Sequence, residues 1–128
     1  VIAVDTNIVI RFLMDDDARQ SKQAVDIFRR ETVFIAKSVL LEAEWVLRRG
    51  YRERPAKVAD ALAGLVGLPN ITCEDEVEIR QALAWHQSGI DFADALHLAA
   101  SPQAAEFVTF DSDMVKVGKR LGLAVSTP

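Results

Sequence analysis

Five short apolar runs, at residues 1–4, 32–36, 71–73, 107–110 and 123–125, are separated by longer stretches whose apolar residues recur at helical spacing. Strands that alternate with helices predict a parallel sheet with helices on both faces, because each helix returns the chain to the end at which the previous strand began. The expected fold is therefore α/β, a single three-layer domain with a central parallel sheet of about five strands. Helices are expected near residues 8–14, 19–30, 39–49, from Pro55 to just before Pro69, 76–87, 91–100 and 114–121. At 128 residues the chain is long enough for one substantial core and too short for two.

In a parallel sheet every strand ends at the same edge, where ligands usually bind, so acidic residues at that edge carry most of the functional information. Asp5 ends the first apolar run and Asp111 the fourth. Glu42 falls in the first turns of the helix after the second run, and Asp94 in the first turn of the helix before the fourth. The topology sends these four acids to one rim. A carboxylate at the end of a buried strand is costly unless it is paired, hydrogen-bonded or bound to a metal. Convergent carboxylates repel, and a hard divalent cation, magnesium or manganese, is what would hold them together at neutral pH. The competing reading is structural: Asp5 and Asn7 cap the first helix, and Asp91 with Asp94 forms a capping box.

Glu42 and Glu44 lie on one predicted helix. Glu44 has Arg48 four residues ahead and reads as a surface ion pair whose loss should do little. Glu42 has only Val39, Trp45 and Val46 at helical spacing, so its counter-charge is expected elsewhere in the fold or on a ligand. The acidic run 15–17 reads as a solvated turn, since Arg19 and Gln20 stand where a calcium loop needs an oxygen ligand and its glycine. Tyr51, Arg52 and Arg54 form a basic connection that could stack bases and meet phosphates, although a solvated loop accounts for the same residues.

Several function classes are set aside. The net charge of −4 argues against binding nucleic acid through a broad basic surface, though not against a nuclease whose acids hold a cation. No run approaches the roughly 18 to 20 apolar residues of a membrane helix, and no signal-peptide pattern opens the chain, so a cytoplasmic address is expected. One cysteine, Cys73, permits neither an internal disulfide nor a zinc cluster and reads as a half-buried small hydrophobe. His86 and His97 form no HExxH pair, and His97 reads as a core histidine. Neither a GxSxG elbow nor a Walker phosphate loop occurs.

With these residues in view, the chain resembles the PIN-domain nucleases, with the greatest similarity to the VapC toxins of toxin-antitoxin pairs. The resemblance rests on Asp5-Thr6-Asn7 after an apolar strand, on Glu42 within 39–48, on Asp94 within 91–99, and on Thr109-Phe110-Asp111-Ser112-Asp113. It covers essentially the whole chain, and four motifs in the right order make it specific. It implies a PIN-like fold and a magnesium- or manganese-dependent endoribonuclease, usually a homodimer, held inactive by a VapB-type antitoxin. Asp5, Glu42, Asp94 and Asp111 would be its metal-site acids, Asp113 an accessory acid, and Thr6 and Asn7 supports for Asp5. The chain departs from many relatives at Ser112-Asp113-Met114, where they carry a basic residue and an aromatic. Two alternatives differ in class. A haloacid-dehalogenase-like phosphatase needs a second aspartate where Asn7 stands, and a non-catalytic interaction module would keep the acids only as helix caps.

Overall fold

The first short apolar segment is β1 (Ile2–Ala3), and Asp5 ends it by opening α1 (Thr6–Leu13) in a computed structural model that describes all 128 residues. The chain continues through α2 (Ala18–Arg30), β2 (Val33–Ile35) and α3 (Lys37–Trp45), which runs on into a π-helical turn at Val46–Gly50. Next come α4 (Pro55–Val66), β3 (Ile71–Cys73), α5 (Glu76–Gln87) and α6 (Phe92–Ala99). The chain ends with β4 (Phe107–Val108), α7 (Ser112–Leu121) and β5 (Val125–Ser126). Pro55 occupies the first turn of α4, where its missing N–H costs nothing. Gly122 ends α7 in the left-handed conformation at φ 74°.

All strand pairs are parallel, as the alternation of strands and helices requires. Ile2 pairs with Val33 and Ala3 with Phe34, while Val33, Phe34 and Ile35 pair with Ile71, Thr72 and Cys73. The five strands do not join in one sheet. They form a three-stranded sheet in the order β1-β2-β3 and a separate pair, β4-β5. The expectation of one sheet of about five strands is corrected accordingly. β1 and β4 contribute only two residues each, which leaves few ladder hydrogen bonds to hold a joint. β1 is also an exposed edge rather than a buried strand, and Ile2 keeps 37% of its surface in solvent.

The main core gathers Val33 and Ile35 of β2, Ile71 of β3, Val9 of α1, Leu40 of α3, Leu62 of α4, Ile79 of α5 and Phe92 of α6. Helix α3 is in contact with α1, α4 and α6, so it joins the helices that follow β1 and β2 to those late in the chain. A smaller cluster of Leu98, Met114 and Val125 ties α6, α7 and β5. Cys73 is buried, and burial pushes its thiol pKa up to about 11, in keeping with a packed hydrophobe. No helix is long and apolar enough to cross a membrane.

Two helical glycines give opposite forecasts. A Cβ on Gly64 of α4 meets nothing within 4 Å, so Gly64→Ala should raise stability by about 0.5 to 1 kcal/mol through helix propensity. A Cβ on Gly118 of α7 would sit 2.6 Å from Val125 Cβ, a branched position that cannot swing aside. Overpacking of that kind costs about 1 to 3 kcal/mol and outweighs the propensity gain. Urea unfolding should place the two variants on opposite sides of the wild type. A stabilised Gly118→Ala would mean that α7 and β5 are not in close contact.

Candidate active site at the carboxyl edge of the sheet

Asp5 leaves β1 and serves as the N-cap of α1, where its Oδ1 accepts from Ile8 N–H at 3.1 Å. One carboxylate oxygen satisfies a helix donor and the other remains open, because Asp5 is exposed. Thr6 behind it is buried and Asn7 is exposed. Asp5, Asn7, Arg11 and Gln20 line an open cavity of about 750 Å³ together with Ile2, Ala3 and Val4.

Glu42 and Glu44 exchange the environments that the sequence assigns them. Leu40, Ala43, Glu44 and Leu47 are the buried residues of this helical stretch, a spacing of three, four and seven that marks one inward stripe. Glu44 is only 2% exposed and Glu42 is exposed, with Trp45 beside it at 57%. Arg48 is indeed the partner of Glu44, with Nε donating to Oε1 at 2.8 Å and the second branch to Oε2 at 3.4 Å. The pair is built into the protein, however, rather than laid on its surface. The Glu44 carboxylate holds the Arg48 guanidinium pKa above its ordinary value, against the opposing effect of burial. Counting only the i+4 partner missed the signal, and counting the apolar stripe finds it.

Asp94 occupies the first turn of α6, half-buried, behind the N-cap Asp91, whose Oδ2 accepts from Asp94 N–H at 3.2 Å. Burial raises the Asp94 carboxyl pKa above the ordinary range. Repulsion from Asp91 and then from Asp111 adds to this, and His97 acts in the opposite direction. Asp111 caps α7, with Oδ1 accepting from Asp113 N–H at 2.9 Å and Met114 N–H at 3.4 Å, while its own N–H donates to Thr109 Oγ1 at 3.0 Å. Asp113 is exposed in the first turn of α7.

Asp94 thus lies within electrostatic reach of Asp91, at its own helix start, and of Asp111, at another. Asp5 and Glu42 are not among the groups that perturb Asp94. No group of three or more His, Cys, Asp or Glu side chains is close enough to hold a metal ion. Of the four acids expected at this rim, Asp94 and Asp111 are the two that act on one another.

His97 is exposed, not a core residue, while His86 is the buried histidine at 5%. The acidic run is more than a solvated turn. Asp17 caps α2, and Asp16 accepts from Tyr51 O–H at 2.6 Å and Arg11 at 3.2 Å. Those partners hold the Asp16 carboxyl pKa below the ordinary range. Tyr51 is therefore engaged within the protein, which favours the loop reading of the basic connection.

A family model described as the PIN domain matches residues 2–120 of this chain. The chain belongs to the PIN-domain family. Among solved structures, the VapC20 toxin of Mycobacterium tuberculosis, described as cleaving the sarcin-ricin loop, is similar over 92% of this chain and 95% of its own, at 23% identity and a TM-score of 0.46. No curated protein matches the chain.

PIN-domain nucleases generally use divalent metals, and the carboxylates of this PIN domain can be weighed against that need. Magnesium keeps several waters and is commonly bound by one or two carboxylates. Asp94 and Asp111 offer hard oxygen donors of that kind, and their mutual repulsion is what a cation would relieve. The fit is one of donor chemistry and of a two-carboxylate site completed by water, not of a preformed protein cage.

The raised Asp94 pKa has a direct consequence for stability. Asp94 binds its proton more tightly in the folded state, so stability falls as pH rises from the unfolded carboxylate value of about 4 through the raised folded value. Asp94→Asn should consequently raise the thermal midpoint of metal-free protein at pH 7, with the advantage shrinking to nothing near pH 3. A variant less stable than wild type at pH 7 would contradict the repulsion inferred for this site.

Proposed function

We propose that this PIN-domain chain is, as a whole, a divalent-metal-dependent endoribonuclease of the VapC toxin type. Asp94 and Asp111 are its central metal-site acids, Asp5 and Glu42 complete the set from β1 and α3, Asp113 is accessory, and Thr6 and Asn7 support Asp5. The observation that carries the reading is the PIN-domain match over residues 2–120, within which Asp111, at a different helix start, adds to the repulsion on Asp94. The order of the four acidic motifs along the chain supports the VapC assignment.

The caps divide the work of each carboxylate. Asp5 and Asp111 each commit one oxygen to helix N–H groups, which fixes the side chain and leaves the second oxygen free toward solvent. The carboxylate of Asp94 is placed by its helix, and burial makes its negative charge more reactive toward a cation. A magnesium or manganese ion, when bound, supplies Lewis acidity that makes water a nucleophile at neutral pH and steadies the departing oxygen. A histidine acid–base pair is not assembled: His86 is buried with Nδ1 at 2.7 Å from Ile90 O, and His97 lies on the surface. The 2′-hydroxyl of RNA is accordingly a spectator, and the products carry a 5′-phosphate and a 3′-hydroxyl. Single-stranded or looped RNA suits an open sheet edge better than a duplex does. A cytoplasmic homodimer inhibited by a VapB-type antitoxin completes the proposal, with the Arg48, Arg49, Arg52 and Arg54 segment as a basic shoulder for that partner.

Digestion of an end-labelled RNA with magnesium or manganese tests the chemistry. Cleavage should stop in excess EDTA, and the new 5′ ends should permit ligation. Asp94→Asn and Asp111→Asn should each lower the rate by about 100-fold or more, since each removes charge at the reacting centre. A 2′,3′-cyclic phosphate product, or cleavage that persists in EDTA, would overturn the reading. Sedimentation as a monomer at micromolar concentration would remove the dimer from it.

A further inference from the structure

Glu44 and His86 are buried titratable residues with no part in the proposed chemistry, at 2% and 5% exposure. The ring nitrogen that faces a carbonyl must carry hydrogen, so His86 Nδ1–H donates to Ile90 O at 2.7 Å. His86 Nε2 then points away from that loop, has no hydrogen-bond partner, and lies 3.8 Å from Glu44 Oε1. That separation is within ion-pair reach and beyond hydrogen-bond length. The same ring packs on Phe92, the fully buried first residue of α6, with centroids 5.3 Å apart. Arg48 Nε donates to that same Glu44 Oε1, at 2.8 Å.

These contacts join two helices at a consequential place. Glu44 stands two residues from Glu42 on α3. Ile90 immediately precedes Asp91, which caps α6 and holds Asp94 N–H through its Oδ2. The line Glu44, His86, Ile90, Asp91, Asp94 runs from one helix to the other through side chains and a short turn. Glu42 is exposed, and no hydrogen bond ties its carboxylate to α6, so its distance from Asp94 is set by how α3 and α6 are held.

We infer that Glu44 and His86 form a buried strut that sets the spacing between Glu42 on α3 and Asp94 on α6, which makes both of them positioning residues for the metal site. The inference rests on the reading of Glu42 and Asp94 as ligands. A buried polar pair that served stability alone would be replaceable by apolar side chains without functional cost. A strut would not be, since outer groups that orient ligands typically change metal affinity by about 10-fold to 100-fold.

The test uses the full chain and manganese as probe, with thermal unfolding and Mn²⁺ affinity measured on each variant by calorimetry. The double variant Glu44→Leu with His86→Leu leaves Arg48 without its carboxylate, so it should unfold at a lower temperature than wild type and, where folded, bind Mn²⁺ about 10-fold more weakly. His86→Asn and His86→Gln supply a second comparison should the double variant not fold. The shorter asparagine places its amide near Ile90 O and loses the arm toward Glu44, whereas glutamine reaches as far as Nε2 and loses the arm toward Ile90 O. Each breaks one end of the strut, so affinity should fall about 10-fold in both. Wild-type affinity in the folded double variant, or in either the asparagine or the glutamine variant, would overturn the strut. If wild type itself binds no Mn²⁺, the metal reading fails separately. The strut is then read from amide exchange of residues 92–96 in metal-free protein, which should quicken about 10-fold in His86→Asn relative to α4. Unchanged exchange there would overturn it.

Discussion

Parallel pairing of β1 and β3 on either side of β2 is the constraint on which the rest of the protein depends. With Ile2 opposite Val33 and Val33 opposite Ile71, all three strands run to the same edge, and α1, α3 and α5 must begin there. Helices that begin at one edge present their unpaired N–H groups to it, and of these three α1 is capped by a side chain, that of Asp5. Asp91 and Asp111 cap α6 and α7 in the same way. A carboxylate at a helix start is favoured by the helix dipole as well as by the hydrogen bond, each contributing on the order of 1 kcal/mol. Ordinary helix capping thus fixes three of the chain's acids in place.

Capping and metal binding are not competing explanations for these residues. A cap uses one oxygen and immobilises the side chain, and an immobilised carboxylate with a free oxygen is a better ligand than a mobile one. Asp94 differs from the others because its side chain caps nothing. It sits half-buried behind Asp91, within the field of Asp111, and its proton is held more tightly than an isolated carboxyl would hold it. The local energetics therefore favour either a proton or a cation on that side chain, which is the physical content of the proposed site.

Much of this was legible in the sequence, and the failures share a cause. β3 at Ile71–Cys73 and α5 at Glu76–Gln87 follow directly from apolar runs, periodicity and flanking polar residues, as does the parallel α/β class. Asp5, Asp94 and Asp111 at helix starts, and Glu42 within α3, follow from the alternation of elements. Their mutual distances do not, because they depend on whether β4 joins β1, and a two-residue strand carries little pattern from which pairing could be read. The inward side of α3 was readable from Leu40, Ala43 and Leu47, yet a charged residue on an apolar stripe is easily assigned to the surface when an arginine stands four places on. The burial of His86 is a tertiary fact: Glu44 and Ile90 come to it from other segments, and no local spacing announces them.

The most direct measurement of the proposed site is anomalous diffraction from crystals grown with manganese. A single strong peak is expected between Asp94 and Asp111, with carboxylate oxygens about 2.1 Å away, and with Asp5 or Glu42 drawn toward the same ion. A map without a peak there, or with manganese held only at acids elsewhere on the surface, would contradict the metal site and the nuclease mechanism built on it.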